Sequence, residues 1–242
     1  MTDSIARRGA LLTLGAGAAL LAAPRSAGAA AGSTAPMGVA PGKHAVHPLP
    51  FDPRKLHGLS EKLLVSHHDN NYAGAVKNLN KVEEELGRAD KDTPGFLLAG
   101  LKERELTFTN SMILHEHYFG NLGGAGKAGG AIGRALATQF GSLERWEESF
   151  RATAMSLAGG SGWAILDFNF HSGDLRTYFA GNHTQSIAFG QPLLVLDMFE
   201  HAYHLDFGAA AARYVDAFFA NVQWDEVERR HERALRAKKA MG

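Results

Sequence analysis

The sequence predicts an α+β fold, with an N-terminal long α-helical hairpin followed by an α/β domain containing a three-stranded antiparallel sheet. Three observations carry this expectation. Apolar residues recur at helical spacing over two long stretches before residue 120. A glycine-rich segment, "GNLGGAGKAGG" over 120–130, then breaks the pattern. Beyond it the period changes, and three short aromatic and aliphatic runs lie between residues 162 and 197.

From Ser60 to about Gly87, the positions of Leu63, Leu64, Ala75, Val76, Leu79 and Val82 fit one long helix, with Ser60 as its cap and Glu61 as an early acid. A second helix is expected from about Glu103 to Phe119, which makes a hairpin with the first. The glycine-rich segment reads as an interdomain linker. "AIGRALATQFGSLERWEESFRATAMSLAGG" predicts two further helices separated by Gly141 and Ser142, with Ser142 capping the second. "GWAILDFNF", "DLRTYFA" and "PLLVLD" predict strands, the first two joined by "HSG" as a hairpin. The end, from Glu200 to about Ala237, reads as helix interrupted at "ANVQWDEVERR".

The first 30 residues read as a signal peptide of the twin-arginine type. Arg7 and Arg8 precede a mild Ala/Leu/Gly apolar segment, and small residues surround Ser26 to Ala30. The apolar segment is too short and glycine-rich for a membrane span, although an uncleaved anchor stays open as the other reading. Export to a periplasm or the extracellular space follows from the signal, with no stable membrane span in the mature form. Residues 31–47 are expected to be a flexible leader, 48–122 the helical hairpin domain, and 131–242 the α+β metal-binding domain.

Composition narrows the chemistry. Lys plus Arg equals Asp plus Glu at 25 each among 242 residues, which removes the overall attraction expected of a nucleic-acid binder. There is no cysteine, so thiolate zinc sites, iron–sulfur clusters and disulfides are excluded. A bound metal must be held by nitrogen and oxygen. The 12 histidines raise that question.

His67, next to His68, lies in the first helix, and His115 and His117 lie in the second. The latter two are two apart and face different sides, so only one of them can share a site with His67. "LVLDMFEHAYHLDF" sets Asp197 and His201 four positions apart. One histidine from each arm of the hairpin, with this Asp and His, would make a set of three nitrogens and one oxygen that suits iron or manganese. Zinc accepts the same donors, and spacing alone equally allows unrelated core histidines. His44, His47, His57, His171, His204 and His231 fall in leader, turns or polar helix faces and read as solvated.

"HPLPFDPRKLHGLS", "SHHDNNYAGAVKNLN", "LHEHYFGNL", "QFGSLERWEESF", "GGSGWAIL", "LDMFEHAY" and "NVQWDEV" occur in this order, and together they resemble the iron/manganese superoxide dismutase family over residues 48 to about 228. The resemblance implies one Fe or Mn ion per subunit, held by His67, His115, Asp197 and His201 and completed by a solvent molecule, with His117 outside the shell. It implies superoxide as substrate, with dioxygen and hydrogen peroxide as products. His183 stands on the hairpin loop where many members carry Gln, as the outer partner of that solvent, opposite Ser111. Trp163 resembles a site-lining aromatic, and Tyr203 is retained from the family's gateway. Glu200 beside His201 resembles an interface pair and implies a homodimer or tetramer.

The channel departs from the family. Asn71 and Ala75 stand where a gateway His and a channel Tyr are usual, with Tyr72 beside that line, and Phe199 replaces a Trp. Alanine replaces a basic residue near "FGAAAARYVDAFF", where Arg213 is only nearby. The expectation is dismutation with an altered rate or pH profile. The alternative is a catalytically weak or silent metal-binding protein on the same scaffold, acting in sequestration or partner binding; a metal-dependent hydrolase would need an acid or base that cannot be pointed to.

Overall fold

A computed structural model of the protein describes residues 42–242. The expected signal peptide and most of the expected leader lie outside these residues. The chain begins against the first helix: the His44 amide donates to Asn80 Oδ1 at 3.0 Å and Asn80 Nδ2 returns a bond to the His44 carbonyl at 3.0 Å. His44 Nε2 also meets Glu83 Oε1 at 3.0 Å, and the His47 amide donates to the Tyr72 hydroxyl. Residues 42–47, expected to be part of a flexible leader, are therefore docked. His44 is paired rather than merely solvated.

The first long helix is present as three consecutive pieces. α1 (Glu61–Ser66) runs through a π-helical turn (His67–Tyr72) into α2 (Ala73–Arg88). Ser60 caps it as expected, accepting from the Leu63 amide at 3.0 Å. The π turn widens the helix where His67 projects, a feature common at functional sites and invisible to apolar periodicity. α3 (Gly95–Gly120) starts after Pro94, eight residues before the expected Glu103. Its first turns present Phe96 and Leu97 to solvent at 83% and 50% exposure, so no buried stripe marked them.

After the glycine-rich segment, which pairs with the chain's far end through Leu122 and Val222, come α4 (Gly130–Phe140) and α5 (Leu143–Met155). Ser142 caps α5 by accepting from the Arg145 amide at 3.2 Å. β1 (Trp163–Asn169), β2 (Leu175–Ala180) and β3 (Gly190–Asp197) form one antiparallel sheet in the order β2-β1-β3. The central β1 is buried along its whole length. Gly162, just before it, has φ +147°, and a Cβ there would collide with the Ala180 carbonyl.

The chain ends in α6 (His204–Phe207), α7 (Ala211–Ala220) and α8 (Trp224–Ala240). Only Asn221 to Gln223 interrupt the last two, so most of "ANVQWDEVERR" is helix. His231, expected on a solvated face, is buried against Phe168, because α8 turns Val227, His231 and Ala234 into the core. One apolar cluster runs from Leu59 to Ala234 through helices and sheet.

Asp167 on β1 has no solvent exposure, and neither carboxylate oxygen has a hydrogen-bond partner. Burial pushes its pKa up to about 7, with Arg176 opposing. A carboxyl whose folded pKa is raised stabilises the fold fully below its unfolded pKa, and loses that contribution as pH rises through the folded one. Wild type is therefore expected to lose stability between about pH 4 and 7. The near-isosteric Asp167→Leu removes that slope and gains about 1–3 kcal/mol over wild type at pH 8. Urea midpoints of both proteins at pH 5 and pH 8 check this; parallel shifts in the two would contradict it.

Candidate metal centre

Three elements bring the centre together. In the sheet register Trp163 pairs with Asp197. Cross-strand partners share a face, so both side chains leave the sheet on one side. There they meet His115 of α3, whose ring lies 5.0 Å from that of Trp163. The π turn adds His67, and the short 3-10 turn Glu200–Ala202 after β3 adds His201. Asp197 Oδ1 accepts from the Phe199 amide at 2.8 Å, which leaves Oδ2 free to face the histidines. The Tyr214 hydroxyl donates to the Asp197 carbonyl at 2.8 Å and fixes the backbone behind it.

His67, His115, Asp197 and His201 each offer one atom, and these atoms lie within 4.8 Å of one another. The Nε2 atoms of His67, His201 and His115 stand 3.0, 3.2 and 3.6 Å from the single Oδ2 of Asp197. Burial lowers the pKa of His67, and burial followed by the His67 charge takes His115 down to about 3. Burial alone would raise Asp197, but the charge and hydrogen bonds of His201 and His67 outweigh it and hold the carboxyl below the usual range. At neutral pH the cluster therefore holds a carboxylate facing the neutral imidazoles of His67 and His115.

The proton positions test whether a metal fits. His115 Nδ1 lies 2.6 Å from the Ser111 carbonyl, which can only accept, so this nitrogen carries the ring's proton. His115 Nε2 then holds a lone pair, is buried and has no hydrogen-bond partner, yet it points at an anionic oxygen. Two lone pairs facing each other in a dry site are costly. A cation between them satisfies both, and a set of three imidazole nitrogens and one carboxylate oxygen suits iron or manganese. His117, two residues on, is turned away and bonds the Ile113 carbonyl at 2.9 Å.

A cleft of about 230 Å³ opens onto this cluster, lined among others by Asn71, Ala75, Ser111, His115, His183 and His201. Asn71 and Ala75, which the ungapped count assigned to the channel, share this lining with His183 and Ser111. Trp163 Nε1 donates to His183 Nδ1 at 3.0 Å, so the proton of neutral His183 sits on Nε2. Burial lowers the pKa of His183, which favours this neutral form. Phe199 stacks on His183 at 4.8 Å and 10°, and on His201 at 5.5 Å and 16°.

Two other expected residues lie elsewhere. Tyr72 does not reach into the cleft: its hydroxyl bonds Glu116 at 3.0 Å, and it lines a different cavity on the far side of the hairpin. Tyr203 is buried and stacks on Tyr214 at 5.2 Å, and the cleft's lining does not include it. One residue was missed altogether. Asn110 of α3 donates to the His183 carbonyl at 2.6 Å, a contact spanning 73 positions that no local pattern signals.

Comparison with known proteins agrees with this centre. Residues 128–230 match the family described as iron/manganese superoxide dismutases, C-terminal domain. The chain is 50% identical over 190 residues to "Superoxide dismutase [Fe]" of Cupriavidus metallidurans, an alignment covering 78% of this chain and 96% of that protein. It is 36% identical over 192 residues to "Superoxide dismutase [Mn] 1" of Halobacterium salinarum, covering 77% and 94% respectively. With "Superoxide dismutase [Fe]" of Aquifex pyrophilus the figures are 32% over 198 residues, 78% and 92%. Half-identity along nearly the whole of one relative, with the family match over residues 128–230 that include Asp197 and His201, makes this chain a member of the iron/manganese superoxide dismutase family.

Proposed function

We infer that the protein is a superoxide dismutase whose iron or manganese ion is held by His67, His115, Asp197 and His201. The observation that carries this is the lone pair of His115 Nε2 aimed at the Asp197 carboxylate in a buried site, within a chain half-identical to an iron superoxide dismutase. Iron or manganese held there would supply one-electron redox chemistry between the +3 and +2 states, the capacity needed for two superoxides and two protons to give dioxygen and hydrogen peroxide.

The chain's own residues select the substrate and manage the protons. A cleft of about 230 Å³ gives a small anion ample room to reach His115 and His201. His183 offers its Nε2 proton from a ring in the cleft wall, and Trp163 fixes that tautomer by donating to Nδ1. Asn71 can donate a hydrogen bond to an anion, but a neutral amide cannot relay a net proton. Ala75 offers no donor at all. Restoring titratable donors with Asn71→His and Ala75→Tyr together is expected to raise turnover several-fold above pH 8, where proton supply limits the rate. Stopped-flow superoxide decay reads this; an unchanged rate would argue that the channel does not deliver the protons.

Reconstitution with iron or manganese, followed by elemental analysis and the superoxide assay, tests the function itself. Bound iron or manganese with superoxide decay beyond the spontaneous rate is expected. Bound zinc, or a loaded protein without turnover, contradicts the reading.

The same reading makes the protein a homodimer or tetramer through Glu200 and His201. Glu200 is exposed, and the His201 side chain keeps 27% exposure beside co-ligands that are almost wholly buried. A second copy would cover that open side and give His201 an anionic partner. Sedimentation of Glu200→Ala as a smaller species than wild type supports this, and an unchanged assembly overturns it. Export through the twin-arginine signal is supported by Arg7, Arg8 and the small residues that follow. No helix among the described residues is long and apolar enough to cross a membrane. N-terminal sequencing of protein recovered outside the cytoplasm should begin near residue 30; a chain retained inside and starting at Met1 would contradict export.

A further inference from the structure

His183 sits on a stretch, residues 181–189, that belongs to no helix or strand, so its place relative to the centre must come from side-chain contacts. Three such contacts reach it. Trp163 Nε1 holds the ring's Nδ1, Phe199 stacks on the ring face, and Asn110 Nδ2 holds the backbone carbonyl at 2.6 Å. The first two come from the sheet and the turn that follows it. Asn110 alone comes from α3, the helix that supplies His115.

The neighbouring residue on that helix, Ser111, supplies the carbonyl that orients His115 at Nδ1. Adjacent residues of one rigid helix therefore hold a ligand and the proton donor opposite it. A helix transmits its register with little slack, whereas an irregular loop does not.

We propose that Asn110 is a positioning residue for the proton donor: by tying the His183 carbonyl to α3, it sets where the His183 Nε2–H stands relative to the metal centre. The consequence for turnover rests on the dismutase reading, but the positioning itself does not. Asn110 touches neither the ligands nor the substrate cleft; its amide reaches only the His183 backbone among the hydrogen bonds of the described residues.

The test uses a reporter that needs neither metal nor activity. The chain has three tryptophans. In the described residues the Trp163 indole N–H is bound to His183, that of Trp146 donates to Thr177, and that of Trp224 has no partner. Three indole proton signals in the metal-free protein therefore report His183 and two internal controls.

Asn110→Asp keeps the size but sets a carboxylate against a carbonyl. It is expected to shift the Trp163 indole signal and speed its hydrogen exchange at least tenfold, with the Trp146 and Trp224 signals unmoved. In the loaded enzyme the same variant should lower kcat and shift the pH profile of turnover at unchanged metal content. Asn110→Gln, which keeps the amide donor, should restore much of both effects. A folded Asn110→Asp with a wild-type Trp163 signal overturns the proposal, as does an equal disturbance of all three indoles, which would mark general loosening. If wild type itself lacks dismutation, the function falls while the indole comparison still decides the role of Asn110.

Discussion

His115→Ala is expected to lose bound iron and manganese and to lose superoxide turnover by more than about 100-fold, while His117→Ala keeps both within a factor of about two. The contrast is sharp because the two residues share a helix, a side-chain type and nearly a position. Their backbones differ by two steps, about 200° around the axis, and only one ring faces Asp197. Removing His115 takes away a nitrogen whose lone pair has no other use in the fold. Removing His117 breaks one bond to a carbonyl of its own helix. Elemental analysis of both purified variants with stopped-flow superoxide decay decides it; equal loss in both would mean that the centre lies elsewhere.

The second large effect falls on His183. His183→Ala is expected to retain the metal but to lower turnover by about 10–100-fold, the range typical of groups that act on a metal site from just outside it. His183→Gln should recover part of the loss, since an amide can also donate into the cleft. The pH dependence follows from proton placement. Burial depresses the His183 pKa, so the ring stays neutral through the physiological range, with Trp163 committing its single proton to Nε2. The wild-type profile should therefore show no step near the ordinary histidine pKa of about 6.5. Turnover and metal content measured side by side across pH check both statements. A variant that loses metal as well as rate would make His183 a structural support of the centre rather than its proton donor.

Much of this centre was legible before any coordinates. Asp197 and His201 stand at i and i+4, and Ser60 and Ser142 cap the helices where their positions suggested. The strands were marked by a change of period and ended within a residue or two of expectation at Asp197. The choice of His115 over His117 came from family resemblance, since either could have faced His67 by spacing alone. What stayed hidden was set by tertiary contact. The π turn at His67 leaves apolar spacing almost unchanged, and the first turns of α3 expose the residues that would have announced them. Tyr72 points to Glu116 because the widened turn carries it to the far side of the hairpin. His231 is buried by α8's packing on Phe168, and the Asn110 to His183 bond joins elements that no short pattern connects.

The departures in the channel also acquire a physical sense. Phe199 fills the space between His183 and His201 as a flat spacer stacked on both rings, so the loss of the usual Trp leaves no gap between those two groups. Asn71 and Ala75 bring no titratable group to the cleft, so under the proposed function proton delivery would fall to His183.

Anomalous scattering at the iron and manganese edges, from crystals of the reconstituted protein, addresses the coordination directly. The account predicts a single peak within bonding distance of His67 Nε2, His115 Nε2, Asp197 Oδ2 and His201 Nε2. A peak bound by other residues, or none at this cluster in a protein that still consumes superoxide, would contradict it.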